Sequence, residues 1–181
     1  MEPSSLPHIL CLPGPDALEV RIGPLLLKQG LKLAVAESCT GGLIGHRVTN
    51  VPGSSEYYLG SIVAYAYEAK ERMLNVSHNT LLQYGAVSRE TVLEMARGIR
   101  QTMAIDFPLE KSVGIAVSGV AGPGGGMPNK PVGFVWFGLS TPTGDFAWSF
   151  IFPGNRVENK AYTAERALEL VIAYLEGEIK E

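Results

Sequence analysis

Apolar positions along this 181-residue chain switch between a helical and a strand period. From Asp16 to Gln29, Leu18, Ile22, Leu25 and Leu26 recur at helical spacing and Gly30 stops the run. Leu33 to Ala36 is short and apolar, as a buried strand is, and Gly41 to Thr49 predicts a helix closed by Asn50 and Pro52. Ser54 or Ser55 caps a short helix through Tyr58, and Ser61 to Tyr65 predicts a second strand. Short helices follow over Glu68 to Leu74, around Lys70, and over Ser77 to Gln83, ending before Gly85. Ser88 caps an amphipathic helix to about Thr102, with Val92, Met95, Ala96 and Ile99 on one face. Val113 to Ser118 is a fully apolar strand that runs into the glycine-rich loop 119–129. Val132 to Ser140 and Phe146 to Phe152 form a hairpin turned by Pro142-Thr-Gly144, and Asn159 to Gly177 is the last helix. Helices between early strands, then a late hairpin, predict an α/β fold: a three-layer α/β/α sandwich with a mixed, mostly parallel sheet. Residues 1–15, with four prolines and little periodicity, read as an arm, and 16–181 as a single domain.

Composition narrows the class. With 46% hydrophobic and 18% charged residues, the chain can build an ordinary core. Its 15 basic and 18 acidic residues give a net charge of -3, and no Lys/Arg cluster marks a nucleic-acid footprint. No apolar run approaches the ~20 residues of a membrane span, and Met-Glu-Pro-Ser-Ser lacks the basic region of a signal peptide. Cys11 and Cys39 form no CxxC pair and no Cys/His set has zinc spacing, so free thiols in a reducing cytoplasm and no metal are expected. These features predict a cytoplasmic protein that acts on a small molecule, with no nucleic-acid or membrane partner.

The candidate chemistry centres on Leu33-Ala-Val-Ala-Glu-Ser-Cys-Thr-Gly-Gly42, where an apolar strand breaks into a polar turn ahead of a helix. Open α/β sheets keep their ligands at such carboxyl ends, and glycines let backbone amides approach a bound group. Ser38 or Thr40 could simply cap the helix. An acid, three polar groups and two glycines exceed what a cap requires, which makes Ser38 a candidate nucleophile. A serine nucleophile needs a base. His8 falls in the arm, His46 is two turns into the following helix, His78 sits at a helix start, and no Gly-x-Ser-x-Gly elbow exists. The other candidate is Lys70, five residues beyond Tyr65 at the end of the second strand; parallel pairing brings both to the edge that holds Ser38. Lysine is a base only if burial or a nearby cation lowers its pKa.

The loop Gly119-Val-Ala-Gly-Pro-Gly-Gly-Gly126 follows an apolar strand that ends in Ser118, as a phosphate nest does, but has no Walker Gly-Lys-Ser/Thr. Ser118, Gly119, Gly122 and Gly124 there, with Thr40, Gly41 and Gly42, are candidate ligand contacts. Arg156 and Lys160, placed before and at the start of the last helix, read either as an anion clamp or as solvated surface.

Taken in order, Ala36-Glu-Ser-Cys-Thr-Gly-Gly42, Pro52-Gly-Ser-Ser55, Val63-Ala-Tyr65 with Glu68-Ala-Lys70, Gly85-Ala-Val-Ser88, Ser118-Gly-Val-Ala-Gly-Pro123 and Lys130-Pro-Val-Gly133 resemble the CinA C-terminal domain family, the nicotinamide-nucleotide amidases. The resemblance runs from about Asp16 to the C-terminus. It implies deamidation of nicotinamide mononucleotide to nicotinate mononucleotide and ammonia by a serine, a tyrosine and a lysine, which fall on Ser38, Tyr65 and Lys70. It implies no cofactor, a three-layer sandwich, and a homodimer or larger homo-oligomer. Many members carry a further N-terminal domain related to molybdopterin-binding proteins, whose activity the short arm here would not supply. The family tends to carry two arginines around the start of the last helix. Arg156 matches the first, while Lys160 stands at the second as a point charge without the bidentate fork.

Overall fold

The computed structural model describes residues 13–179. The expected arm lies outside the described residues except for its last three. Helix α1 (Leu18–Gln29) ends at Gly30, whose φ of 64° supplies the left-handed cap that a side chain would strain. Strand β1 (Lys32–Glu37) leads to α2 (Leu43–Thr49), a 3-10 turn (Ser54–Glu56) and β2 (Tyr58–Val63). Helices α3 (Tyr67–Leu74), α4 (His78–Tyr84) and α5 (Arg89–Met103) follow, then β3 (Ser112–Gly119), β4 (Phe134–Ser140), β5 (Asp145–Ile151) and α6 (Arg156–Leu175). None of the described helices is long and apolar enough to cross a membrane.

The five strands form one sheet in the order β2-β1-β3-β4-β5. β1 pairs in parallel with β2 and β3, while β4 runs antiparallel to β3 and β5. The sheet is therefore mixed, with β4 the reversed strand. The chain leaves β1 for β2 on one side and returns to β3 on the other, so the strand order switches direction at the carboxyl end of β1. That point is where doubly wound sheets open a ligand crevice.

The strand period of two splits the core. Leu33 and Val35 of β1 and Val113, Ile115 and Val117 of β3 pack with α1, α2 and α6. Ala34, Ala36 and Ala116 face the other way, toward α3 and α5. Small residues on that second face let α5 lie close to the sheet. A Cβ on Gly114 would stand 2.4 Å from the Ala96 carbonyl oxygen, and one on Gly138 2.3 Å from that of Val92.

Three of the boundaries that move from their sequence expectations bear on the site. β2 is Tyr58–Val63 rather than Ser61–Tyr65, because the expected short helix is a single 3-10 turn that stops at Glu56, which frees Tyr58 to pair beside β1. α2 starts at Leu43, since Gly41 and Gly42 have φ of 62° and 98°. α6 starts at Arg156 rather than Asn159, because Asn155 and Glu158 close a reciprocal capping box. Arg156 is thus the first residue of the helix and Lys160 lies in its second turn, later than the expected placement of each before and at the helix start.

Candidate active site

The turn after β1 is built around Glu37. Its carboxylate is fully buried and accepts the amides of Gly42 at 2.9 Å, Ile44 at 3.2 Å and Gly45 at 2.9 Å. Ser61 Oγ also approaches it at 3.5 Å and bonds the Tyr58 hydroxyl. A carboxylate among the first amides of α2 satisfies donors that a helix start leaves open and complements the helix dipole. Glu37 therefore fixes the direction in which the chain leaves β1, and with it the position of Ser38.

Ser38 is 8% exposed and sits over the Lys70 ammonium group. Lys70 is 1% exposed; its Nζ lies 3.0 Å from Ser38 Oγ, 2.7 Å from the Ala64 carbonyl oxygen and 3.2 Å from that of Tyr65. Burial pushes the Lys70 amine down from 10.5 to about 8. A neutral amine has two N–H donors and one lone pair. With the two carbonyls taking the donors, the lone pair is left for the Ser38 hydroxyl proton. This geometry suits a serine nucleophile with a lysine base.

Tyr65 reaches this pair through its backbone. Its side chain is 59% exposed, and its hydroxyl accepts from Arg156 Nη2 at 3.1 Å. Arg156 Nη1 donates to the Gly122 carbonyl at 2.7 Å, so one guanidinium ties the glycine-rich loop to the Tyr65 ring. Asn159, 1% exposed, holds the same loop by donating to the Ala121 carbonyl at 3.1 Å while accepting the Gly154 amide. Lys160 is half-buried and makes no ion pair among the described residues; a Cβ on Gly41 would stand 3.7 Å from its Nζ.

The other expected contacts fall as follows. Thr40 is fully buried and its Oγ1 has no hydrogen-bond partner, so its hydroxyl does not face solvent. The Gly41 amide donates to the Ser38 carbonyl and the Gly42 amide to Glu37, which occupies two donors of that turn. Ser118, 1% exposed, donates to the Ala86 carbonyl at 2.7 Å and ties β3 to the loop before α5. Gly119 is needed for close approach, because a Cβ there would stand 2.6 Å from the Phe134 carbonyl oxygen. Gly122 (φ 94°) would bring a Cβ within 2.6 Å of Val132, whereas Gly124 has open space around it. The Cys39 thiol is packed in the core, and burial pushes it up to about 12. His46 bonds Asn50 and His78 pairs with Glu71, so neither serves Ser38. Among the described residues no three His, Cys, Asp or Glu side chains come together as a metal cluster.

Sequence reasoning named Glu37 only as an acid beside the serine and missed its anchoring role. The signal was there: a carboxylate at a strand end followed by two glycines and a helix. Asn159 gave no comparable signal beyond a polar residue in an otherwise apolar helical stripe.

Residues 15–175 match the family model described as the CinA C-terminal domain. The chain belongs to the CinA C-terminal domain family. It is 44% identical over 162 residues to a putative competence-damage inducible protein of Desulforamulus reducens, covering 90% of this chain and 38% of that protein. It is 45% identical over 162 residues to a CinA-like protein of Amoebophilus asiaticus, with the same coverage of 90% and 38%. This CinA domain thus spans about two fifths of the length of those relatives. Among solved structures, a CinA superfamily protein from Klebsiella pneumoniae superposes with a TM-score of 0.81 at 31% identity, covering 88% of this chain and 96% of that one. The competence/damage inducible protein of Agrobacterium tumefaciens gives 0.78 at 36% identity, covering 92% and 98%.

Proposed function

We propose that this CinA domain is a serine amidohydrolase that deamidates nicotinamide mononucleotide to nicotinate mononucleotide and ammonia, a step of pyridine nucleotide salvage. The contact between Lys70 Nζ and Ser38 Oγ, with two carbonyls holding the amine, carries the reading. Ser38 Oγ attacks the carboxamide carbon while the Lys70 lone pair takes the hydroxyl proton. The tetrahedral intermediate collapses, the C–N bond breaks, and Lys70 returns its proton to the departing ammonia. Water then attacks the acyl-serine, giving a proton to Lys70 that passes to Ser38 Oγ as the carboxylate product leaves. Tyr65 assists through the carbonyl that orients Lys70, and the Tyr65–Arg156 pair stands at the exposed side of the site. With Gly41 and Gly42 amides occupied, the loop 119–126 is the better source of oxyanion donors. Lys160 beside Gly41 supplies a charge for the ribose phosphate. The working unit in this reading is a homodimer or larger homo-oligomer in the cytoplasm, which light scattering on a sizing column tests.

Ammonia release from nicotinamide mononucleotide, with a chelator present, tests the reaction. Turnover in the wild type and its loss in Ser38→Ala and Lys70→Ala are the expected results; equal turnover in Ser38→Ala refutes the nucleophile. A second reading, a non-catalytic nucleotide-binding partner protein, draws on the competence-damage names of the relatives. It predicts nucleotide binding without ammonia release by the folded wild type.

A further inference from the structure

A second cationic site lies at the far end of the sheet. Arg97, Arg100 and Gln101 of α5 face Thr143 of the β4–β5 turn and Asp145 at the start of β5 across a hollow of about 370 Å³. Lys32 of β1 aligns with Ser112 of β3, and Ser112 bonds Arg100, so this hollow sits at the amino-terminal ends of β1 and β3. Ser38 follows the carboxyl end of β1. Nothing in the proposed reaction uses the hollow.

Arg100 is 8% exposed, yet it forms no ion pair among the described residues. Its Nε donates to Ser112 Oγ at 3.4 Å, Nη1 to Ser140 Oγ and to the Thr141 carbonyl at 2.9 Å each, and Nη2 to the Leu109 carbonyl at 2.8 Å. A guanidinium carries five N–H groups. Four are spent on neutral oxygens, which hold the fork rigid without cancelling its charge, and one on Nη2 remains. Arg97 spends its Nε on Asp145 at 2.5 Å and keeps its Nη donors. Two guanidiniums against one carboxylate leave the hollow with a net positive charge, and the Gln101 side chain adds a neutral donor. Arg100 is buried with only the Asp145 carboxylate, shared with Arg97, to offset its charge, and a further anionic group completes it. The planar arginine fork matches tetrahedral oxyanions. The hollow is wider than one phosphate group, and Leu109 and Pro142 give it an apolar wall.

We propose that this hollow is a second ligand site that takes a phosphate group, free or as a small monoester, on the Arg100 side and away from Asp145. The site is independent of whether Ser38 turns over a substrate.

The test is a ¹⁵N-resolved NMR titration at constant ionic strength, with inorganic phosphate and glycerol 3-phosphate as ligands and chloride as control. Arg100 makes four structural bonds, so the variant used is Arg97→Gln at the half-exposed rim, with Lys160→Gln marking any phosphate bound near Ser38. Saturable shifts at the Thr143 and Gly144 amides and at Arg100 Nε, retained in Lys160→Gln and weakened about tenfold or more in Arg97→Gln, are expected. Tighter binding of glycerol 3-phosphate identifies a monoester as the occupant, and equal binding identifies free phosphate. Absence of saturable shifts at those groups, or shifts that survive Arg97→Gln and vanish in Lys160→Gln, overturns the site.

Discussion

Replacing Lys70 by methionine keeps an unbranched side chain of similar volume and removes the titrating amine. The amine stands at about 8 in the folded protein against 10.5 in the free residue, and burial is the cause. Below pH 8 both folded and unfolded chains hold the proton, and the folded state carries the cost of a buried ammonium group. Between 8 and 10.5 the unfolded chain holds a proton that the folded one has lost, so wild-type stability rises with pH through that window. The difference of 2.5 between those two values, at 1.36 kcal/mol per unit, sets the full effect at roughly 3 kcal/mol. Most of it, about 2 to 3 kcal/mol, falls between pH 7 and pH 10. The carbonyls of Ala64 and Tyr65, orphaned by the methionine, add a term that is constant with pH. Tyr57, Tyr58 and Cys39, all raised by burial, pull stability down at high pH in both proteins and cancel in the comparison. Urea unfolding of wild type and Lys70→Met at pH 7 and pH 10 reads the quantity directly. Wild type should gain on the variant by about 2 to 3 kcal/mol across that interval. A gap that stays constant, or that narrows in the wild type's disfavour, would show that the folded amine titrates where a free lysine does and that the base assignment has lost its electrostatic ground.

The same amine predicts that kcat/KM for ammonia release climbs about tenfold per pH unit below 8 and levels above it, and a flat profile from pH 6 to 9 would contradict it. Glu37→Gln leaves at least one of three buried amides facing an NH2 group and should lower stability by about 2 to 4 kcal/mol in urea unfolding, with activity lost at temperatures where the fold survives. Cys39→Ala should keep kcat within about threefold, since the thiol is buried and pushed up to about 12; loss of acylation with an intact fold would move the nucleophile to Cys39. Gly98→Ala places a Cβ 1.8 Å from the Leu74 carbonyl oxygen between α5 and α3, and should cost about 2 kcal/mol or more despite alanine's better helix propensity, which thermal unfolding would measure.

Local signals carried much of this fold. Gly30, Ser88 and the apolar run before Ser118 mark one end or a whole element because each satisfies a local backbone need: a left-handed cap, an N-cap bond to the Thr91 amide, a strand buried on both faces. The proximity of Ser38 and Lys70 was legible for a topological reason, since parallel strands deliver their carboxyl ends to one edge. What escaped depends on partners distant in sequence. The capping box that starts α6 at Arg156 needed Asn155 and Glu158 to be read together ahead of the apolar stripe. The start of β2 depended on how Tyr58 pairs beside β1. Arg156 read either as an anion clamp or as solvated surface, because its partners, the Gly122 carbonyl and the Tyr65 hydroxyl, lie 34 and 91 residues away in sequence.

The Ser38 turn gathers two features that each oppose folding, a buried lysine and a Thr40 hydroxyl with no partner, on a backbone that Gly41 and Gly42 carry through positive φ. A turn selected only to join β1 to α2 would need neither of them. They persist because Glu37 over-determines the local backbone, binding three amides from within the protein. The Ala64 and Tyr65 carbonyls do the same for the amine that burial disfavours. Stabilising contacts thus stand beside the buried amine and the turn backbone, and Ser38 Oγ is held 3.0 Å from an amine of lowered pKa at the switch point of the sheet. That concentration of local conflict with adjacent compensation supports the proposed catalytic role of the turn.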